Sequence, residues 1–310
     1  MEACEITIIT PVYNRAHCIS HCYESLRKQT CKNFVWMVID DGSTDHLELL
    51  IQKWQSEEKE FKIAFYQKEN GGKSTAYNLA LKHIQTPYWT CIDSDDWITD
   101  ITVERYYHWI RYTEHLDVAG FVGLDSTPDG TVLGGNFPYE GIASLMDVKT
   151  RIRHEGDMNM VYRTDLSKRF SPMPEVEGEK DFEPYYFLLK MDEVAPLYLV
   201  NEVFCIADYQ SDGLTQNVWR AYFRSPVSMG MLRLEFLRRK HLPWGFAYRQ
   251  CIHYVSSWLL AQKNPAKKKQ LPLPVMRPLM ILAWIPGWLF SKIIVYKNDK
   301  RLRETENGPS

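Results

Sequence analysis

Three carboxylates stand within four residues in the stretch "CIDSDDWITD", Cys91 to Asp100. They are Asp93, Asp95 and Asp96, and they follow "TPYWT", which has the pattern of a short strand. Carboxylates this close repel one another, and a chain that keeps them ionised supplies a cation. Because side chains alternate along an extended chain, Asp93 and Asp95 point to the same side. The pair predicts a Mg²⁺ or Mn²⁺ site, and acids that decorate a helix N-terminus are the simpler alternative.

Two further polar segments could bind parts of a nucleotide. "VIDDGSTD" places Asp40 and Asp41 after an apolar run, where a carboxylate can accept hydrogen bonds from a base or a ribose. An ordinary Asp-Gly turn is the alternative there. "ENGGKS" contains Gly71 and Gly72, which allow close backbone approach, and Lys73, a positive charge suited to phosphate. The sequence has neither the GxxxxGK[ST] phosphate loop nor the GxGxxG dinucleotide motif.

The segments before these loops have the pattern of buried strands. Short apolar runs such as "EITIIT" and "FVWMVID" alternate with stretches of helical length as far as Leu124. Ser43 or Thr44 is expected to cap the second of these helices. Alternating strands and helices predict an α/β fold with a mainly parallel sheet, and ligands on such sheets bind beyond the carboxyl ends of the strands. We therefore expect "PVYN", "DDGSTD", "ENGGKS" and "DSDD" to meet at one edge of the sheet.

The composition is typical of a folded cytoplasmic protein. The 310 residues are 45% hydrophobic and 13% aromatic, which is enough for a packed core. Seven cysteines, an odd number without a CxxC pair, predict reduced thiols. No signal-peptide pattern precedes the first strand, so we expect a cytoplasmic location. The net charge of −2 identifies no partner by itself, and we expect no nucleic acid partner.

Four segments together resemble the family 2 glycosyltransferases, which have the GT-A fold. They are "ITIITPVYNRA", "SLRKQTCKNFVWMVIDDGSTD", "ENGGKSTAYNLAL" and "YWTCIDSDDWI", and they occur in the family's order and spacing. The resemblance implies a nucleotide-sugar donor, usually a UDP-sugar. On this basis Pro11, Tyr13 and Asp41 are expected at the base and ribose, and Lys73 near the diphosphate.

The same resemblance assigns the metal site and the catalytic base. Asp93 and Asp95 match the family's D-x-D motif, with Asp95 as the foremost ligand of Mn²⁺ or Mg²⁺ and Asp93 near both metal and donor. The family carries its base in a later acidic motif, and "EGEKDFEPYYF" occupies that place. Its register is not fixed, so Asp181 and Glu183 are both candidates, followed by Glu179. A solvated loop acid is the alternative for each. "ADYQSDGLTQN" resembles the segment that follows in bacterial polysaccharide-assembly members.

The expected reaction is a single displacement that inverts the sugar's configuration. One carboxylate takes the proton of an acceptor hydroxyl, whereas a double displacement would require two opposed carboxylates. We expect a metal-dependent enzyme that adds a sugar to a saccharide or a lipid-linked saccharide in surface polysaccharide biosynthesis. Two alternatives stay open: a polyprenyl-phosphate glycosyltransferase, which a basic acceptor pocket would favour, and a non-catalytic nucleotide-sugar-binding protein.

The predicted domain boundary falls after residue 214. Residues 1–214 are expected to form the GT-A catalytic domain, with a nucleotide-sugar-binding half at 1–124 and an acceptor half at 125–214. Residues 215–310 are expected to form a helical, basic and apolar extension. Positions 263–303 carry a net charge of +9, so the rest of the chain carries −11.

The C-terminal extension contains an apolar run from Pro278 to Tyr296 in which Lys292 alone is charged. Pro286 and Gly287 are expected to break this run, which would just reach across a bilayer if it were a continuous helix. Basic flanks and a broken run favour an interfacial helix or shallow hairpin on the anionic inner face of the cell membrane. A true span stays open, and packing on the protein's own core is the alternative.

Overall fold

The computed structural model describes residues 4–208, 218–274 and 278–306. The chain divides into two compact units. The first comprises Met1–Met173 and Phe187–Gln210, and the second comprises Pro174–Tyr186 and Ser211–Ser310. The acidic motif around position 181 therefore belongs to the second unit. Most of "ADYQSDGLTQN" lies outside the described residues, and so does the boundary predicted after residue 214.

Within the described residues, the first unit is built on a nine-stranded sheet with the order β3-β2-β1-β4-β8-β6-β9-β5, in which β7 pairs with β9. The strands are β1 (Ile6–Val12), β2 (Val35–Asp40), β3 (Lys62–Gln67), β4 (Tyr88–Cys91), β5 (Trp97–Ile98), β6 (Gly120–Ser126), β7 (Gly141–Ala143), β8 (Met158–Arg163) and β9 (Leu197–Ile206). The first four are mutually parallel, whereas β8 enters antiparallel between β4 and β6. The sheet is thus parallel across the half that carries the predicted donor loops and mixed beyond it.

Helices cover this sheet and alternate with its first strands. They are α1 (Ile19–Arg27), α2 (Leu47–Glu57), α3 (Lys73–His83), α4 (Thr102–Thr113), α5 (Leu145–Asp147) with a π-helical turn at Val148–Ile152, α6 (Thr164–Arg169) and α7 (Tyr185–Asp192). Tyr23 of α1 stacks on Trp54 of α2 and on Trp36 of β2, with ring centroids 4.1 and 5.7 Å apart. All three residues are buried, and such pairs stabilise a core beyond their buried area. The predicted α/β fold class is confirmed.

The predicted cap of the second helix is wrong. Helix α2 begins at Leu47, after His46 in a left-handed conformation with φ of 64°, and no side chain caps it. Ser43 Oγ instead accepts a hydrogen bond from the Asn14 N–H at 2.9 Å, and the Thr44 N–H donates to Asn14 Oδ1 at 2.7 Å. These residues tie the loop after β1 to the loop after β2, a long-range role that local cap preferences do not reveal.

The second unit is helical. Its helices are α8 (Val218–Arg224), α9 (Pro226–Leu237), α10 (Trp244–Ala261), α11 (Pro278–Leu282) and α12 (Trp284–Glu306). The predicted helical character of the C-terminal region is therefore confirmed. Within the described ranges, no helix is both long enough and apolar enough to cross a membrane.

The apolar run is not broken where the sequence predicted. The break lies at Ala283, between α11 and α12, and the helix continues through Pro286 and Gly287. Pro286 lies in the first turn of α12, where its missing N–H has no helical partner to lose. Gly287 is needed because a Cβ there would lie 2.7 Å from Val255 Cγ1 of α10. The glycine therefore allows α12 to pack closely on α10 rather than ending the helix.

Candidate active site

Asp41, directly after β2, holds the loop that leads into α3. Its carboxylate accepts hydrogen bonds from the N–H groups of Gly71 at 2.9 Å and Gly72 at 2.7 Å, and it pairs with Lys68 Nζ at 2.7 Å. The side chain is 6% exposed. Two backbone N–H groups and one ammonium group thus converge on this buried carboxylate, so Asp41 fixes the glycine loop in its present conformation. Its predicted contact with a base or ribose stays a prediction.

The other two residues predicted at the base and ribose lie beside Asp41. Pro11 in β1 is in register with Ile39 of β2, and the Asp41 N–H donates to Val12 O at 2.8 Å. Tyr13 follows directly and is half exposed. The structure thus brings Pro11, Tyr13 and Asp41 together at the carboxyl end of β1 and β2, with one aromatic ring accessible for stacking.

Asp93 and Asp95 lie in the loop between β4 and β5, and each is next to a cation of the chain. Asp93 Oδ2 is 2.7 Å from Nζ of Lys73, the first residue of α3. Asp95 Oδ2 is 3.5 Å from Arg15 Nη1. The structure therefore brings the predicted Lys73, Asp93 and Asp95 to one place. Sequence reasoning missed Arg15, whose signal was its position directly after "PVYN" at the end of β1.

Asp96, the third carboxylate of the cluster, is partly buried beside the other two. Its Oδ1 accepts a hydrogen bond from the Asp208 N–H at 3.1 Å. Burial, followed by repulsion from Asp93 and Asp95, raises the pKa of Asp96 to about 8. Burial and the charge of Asp93 also raise the pKa of Asp95. The protein's own cations therefore do not fully compensate this cluster.

Asp125 of β6 is a further carboxylate near this cluster that sequence reasoning missed. The residue is 6% exposed, and its Oδ1 has no hydrogen-bond partner in the described part of the chain. Burial raises the pKa of Asp125 well above its ordinary value, and the charges of Asp96, Asp157 and Asp93 add to this shift. The signal in the sequence was an aspartate inside the otherwise apolar strand "FVGLDS".

The chemistry of these side chains fits a divalent cation. Four carboxylates lie in this region beside two protein cations, and repulsion among them helps to raise the pKa of Asp96 and Asp125, so an added positive charge would be favourable here. Carboxylate oxygens are the ligands that Mg²⁺ and Mn²⁺ prefer. Among the described residues, no three Asp, Glu, His or Cys side chains are arranged to enclose an ion by themselves. The arrangement fits an ion held by one or two protein carboxylates and completed by phosphates and water.

Glu179, the third candidate base, is committed to the packing of the second unit. Its carboxylate accepts hydrogen bonds from the N–H groups of Val227 at 3.1 Å and Ser228 at 2.7 Å, in the first turn of α9. Lys267 Nζ pairs with it at 2.9 Å, and the Glu179 side chain is fully buried. This carboxylate therefore caps a helix N-terminus and has the contacts of a structural residue.

The two leading candidates for the base have different surroundings in the same unit. Asp181 Oδ2 accepts a hydrogen bond from Ser225 Oγ at 2.8 Å, just before α9 begins. Glu183 is exposed. Either carboxylate could accept a proton from a hydroxyl, and neither has the buried, multiply bonded environment of Glu179. Both stay predictions for the catalytic base.

A family model described as glycosyl transferase family 2 matches residues 7–167. Glycosyltransferase GlyA of Streptococcus pneumoniae is 38% identical over 124 residues, which cover 40% of this chain and 18% of GlyA. The chain spans less than a quarter of the length of that relative. TuaG of Bacillus subtilis, named for teichuronic acid biosynthesis, is 25% identical over 273 residues, which cover 85% of this chain and 97% of TuaG.

Solved structures with the same fold cover nearly the whole chain. The crystal structure of S. aureus TarS 1–349 superposes with a TM-score of 0.63 at 20% identity and covers 97% of this chain and 92% of that one. The same protein in complex with UDP-GlcNAc has a TM-score of 0.61 at 19% identity, covering 96% and 92%. Mannosyltransferase PcManGT of Pyrobaculum calidifontis, with GDP-Man and Mn²⁺, has a TM-score of 0.56 at 16% identity, covering 94% and 88%. These similarities show the GT-A fold.

Proposed function

The chain belongs to glycosyl transferase family 2, and from that premise we propose that it transfers a sugar from a nucleotide-diphosphate donor to an acceptor hydroxyl. The observation that carries this proposal is the group of Lys73, Asp93, Asp95 and Arg15 at the carboxyl edge of the parallel strands. Ligands of open α/β sheets bind at that edge. Both charge signs are present there, as a diphosphate and its counterion require.

The proposed donor is a UDP-sugar. Tyr13, half exposed at the end of β1, offers a ring to the base, and Pro11 and Asp41 lie beside it. Lys73, at the start of α3, is assigned to the diphosphate, because a helix N-terminus and an ammonium group both favour negative charge. The complexes of TarS with UDP and UDP-GlcNAc support this choice of nucleotide.

The proposed cofactor is Mn²⁺ or Mg²⁺, held by Asp95 and Asp93. When bound, the ion supplies positive charge for the departing nucleoside diphosphate. The Mn²⁺ in the PcManGT complex and the excess of carboxylates around Asp95 support this assignment. Arg15 holds the Asp95 carboxylate in place through their ion pair.

The proposed chemistry is a single displacement with inversion. Asp181 or Glu183 accepts the proton of the acceptor hydroxyl as that oxygen attacks the anomeric carbon. The C–O bond to the sugar forms on one face while the bond to the nucleoside diphosphate breaks on the other. One positioned base is sufficient for this route, whereas retention through a covalent intermediate would need a second, opposed carboxylate.

The proposed acceptor is a saccharide or a lipid-linked saccharide of a bacterial surface polysaccharide. The similarity to TuaG along nearly its full length supports this class of pathway. We propose that the protein works in the cytoplasm on the inner face of the cell membrane, with its basic and apolar C-terminal region against the lipid. Enzymes that extend lipid-linked chains meet their acceptor at that surface.

The experiment is a donor-turnover assay on a panel of UDP-sugars and other nucleotide sugars, with and without lipid-linked acceptors, read by mass spectrometry. We expect turnover of at least one UDP-sugar, its loss in excess EDTA and its return with Mn²⁺ or Mg²⁺. Asp95→Asn should lower kcat/KM by roughly 10²-fold or more, the usual scale for removing electrostatic support from the transition state.

Asp100→Asn is the matched control, since Asp100 is an exposed acid of the same segment. It should behave like the wild type. Full activity in excess chelator would remove the metal from the proposal. Tight donor binding without turnover of any donor or acceptor would favour a nucleotide-sugar-binding protein instead of an enzyme.

A further inference from the structure

The helices α11 and α12 carry a row of apolar side chains that face away from the core of the second unit. We call these residues the outer stripe: Ile281, Leu282, Ile285, Leu289, Ile293 and Tyr296. Each is about half exposed or more, and Ile285 reaches 73%. In α12 the members follow one another at intervals of four, four and three residues, which places them on one side of the helix. Monomeric proteins rarely expose a continuous apolar surface of this kind without a partner.

The opposite side of the same helices belongs to the core of the second unit. Ala283 and Ile294 are fully buried, and Gly287 packs against Val255 of α10. Trp284 packs in the same hydrophobic cluster as Leu279. Packing of the inner face therefore fixes the orientation of α12, and this orientation leaves the outer stripe exposed.

Basic side chains border the outer stripe on both sides. Lys292 lies one residue from Ile293 and is exposed, with Nζ 5.5 Å from the centre of the Trp288 ring. Lys297 follows Tyr296, and its Nζ is 4.0 Å from the centre of the Trp219 ring. An apolar strip with basic flanks is complementary to a surface that is apolar inside and negatively charged outside.

The same surface continues onto the start of α10. Tyr248 OH donates a hydrogen bond to Leu282 O at 3.3 Å, so the two helices meet there. Trp244 lies one turn before Tyr248 and is 76% exposed. Tryptophan and tyrosine are enriched at the level of lipid headgroups, where an apolar ring and a polar N–H or O–H are both satisfied. Trp244 is thus an exposed tryptophan on the helix that contacts α11, and we include it in the surface considered below.

We infer that the outer stripe, with Trp244 and the flanking lysines, docks flat on an anionic lipid bilayer. This inference rests on the proposed function, since that function brings the protein to the inner face of the membrane, and it names the surface that makes the contact. A second copy of the chain is a poorer occupant. Pairing the stripe with itself would bring two sets of lysines together, and like charges across an interface oppose association.

The test measures binding of the full chain to sedimenting vesicles of phosphatidylcholine, with or without phosphatidylglycerol, in ~0.1 M and ~1 M salt, where the Debye length falls from ~10 to ~3 Å. Wild type should bind anionic vesicles in both salts, because apolar burial survives screening. The double variant Ile285→Glu/Leu289→Glu should bind at least ~10-fold more weakly, since burying one such side chain is worth that factor. Lys292→Gln/Lys297→Gln should weaken binding mainly at low salt.

Leu49→Glu is the matched control. Leu49 is 65% exposed on α2 of the first unit and should leave binding unchanged. Circular dichroism should show that all variants are folded at the assay temperature, because the substituted side chains are exposed. Absence of wild-type binding, or equal binding by the Ile285→Glu/Leu289→Glu variant, would overturn the inference. So would a dimer in light scattering that the same variant dissociates, without any vesicle binding.

Donor turnover with a soluble acceptor separates this inference from the proposed function. We expect the Ile285→Glu/Leu289→Glu variant to turn over the donor as the wild type does, while it fails to bind vesicles. If no variant turns over any donor but vesicle binding follows the expected pattern, the proposed function fails and the docking surface stands.

Discussion

Removal of the Glu179 carboxylate should destabilise the second unit without removing a catalytic group. In Glu179→Ala, the N–H groups of Val227 and Ser228 lose their acceptor, and Lys267 loses a partner at 2.9 Å. Glu179 is fully buried and the Lys267 side chain is 11% exposed, so water cannot easily replace the lost contacts. The variant therefore combines the loss of a helix cap with an unpaired buried charge.

The expected cost follows from these two losses. Breaking a buried ion pair by deleting one partner costs about 3–5 kcal/mol, and this range includes the charge left unpaired. The cap contributes ~1 kcal/mol in typical helices. We expect Glu179→Ala to lower the free energy of unfolding of the second unit by roughly 3–5 kcal/mol. Glu179→Gln keeps an acceptor oxygen and should cost less, about 1–3 kcal/mol. Lys267 keeps its hydrogen bond to Arg224 O in both variants.

Urea denaturation followed by circular dichroism and tryptophan fluorescence measures this effect. With a slope of about 2 kcal/mol per molar urea, the Glu179→Ala midpoint should fall by roughly 1.5–2.5 M. Glu183→Gln is the control, because Glu183 is exposed in the same loop and should change stability by less than ~0.5 kcal/mol. The double variant Glu179→Gln/Lys267→Met should lose less stability than the two single variants lose when their losses are added, since no charge is left unpaired.

The structural role of Glu179 also predicts the kinetics of the variant. Under conditions where the variant is folded, its kcat should stay within a few-fold of wild type. A Glu179→Ala protein with an unchanged urea midpoint and a kcat reduced by ~10²-fold or more would refute the reasoning. Glu179 would then be the catalytic base, and its contacts with α9 would be incidental.

Two other predictions concern the proposed base and the donor loop. Asp181→Asn or Glu183→Gln should lower kcat by ~10²–10⁴-fold with little change in donor affinity, as measured by steady-state kinetics and donor titration. Near-normal kcat in both variants would mean that the base is elsewhere. Asp41→Asn should loosen the Gly71–Gly72 loop, because the Asp41 carboxylate accepts the N–H groups of both glycines. We expect the KM for the donor to rise more than kcat falls. An unchanged KM would show that the loop keeps its conformation without the charge.

The donor half of the fold was predictable because its signals are local. The run "FVWMVID" predicted a strand at 34–40, and β2 covers Val35–Asp40. β-Branched and aromatic runs that end in Gly, Asp and Asn mark both the strand and its carboxyl end. Since parallel strands align these ends, the meeting of Lys73 with Asp93 also followed from the alternation of strands and helices.

Other features depend on contacts that sequence spacing does not contain. Strand β8 pairs antiparallel between β4 and β6, although both neighbours precede it in the chain. The role of Ser43 was invisible because its partner, Asn14, is 29 residues away. Gly287 looked like a helix breaker, and its actual function is to make room for Val255. In each case a tertiary contact decided between two uses that the local sequence allowed.

The charges of the acidic cluster were visible in the sequence, but the groups that compensate them were not. Three adjacent carboxylates require compensation, and the sequence suggested a metal ion as the source. The structure supplies two protein cations, Arg15 and Lys73, each paired with one carboxylate. Burial compensates part of the rest, since it raises the pKa of Asp96 to about 8 and raises that of Asp125 well above its ordinary value. Ion pairs with Lys73 and Arg15 hold Asp93 and Asp95 in place, while burial and repulsion between the carboxylates raise the pKa of Asp95, Asp96 and Asp125. A divalent cation would relieve that repulsion, which is why we propose Asp93 and Asp95 as its ligands.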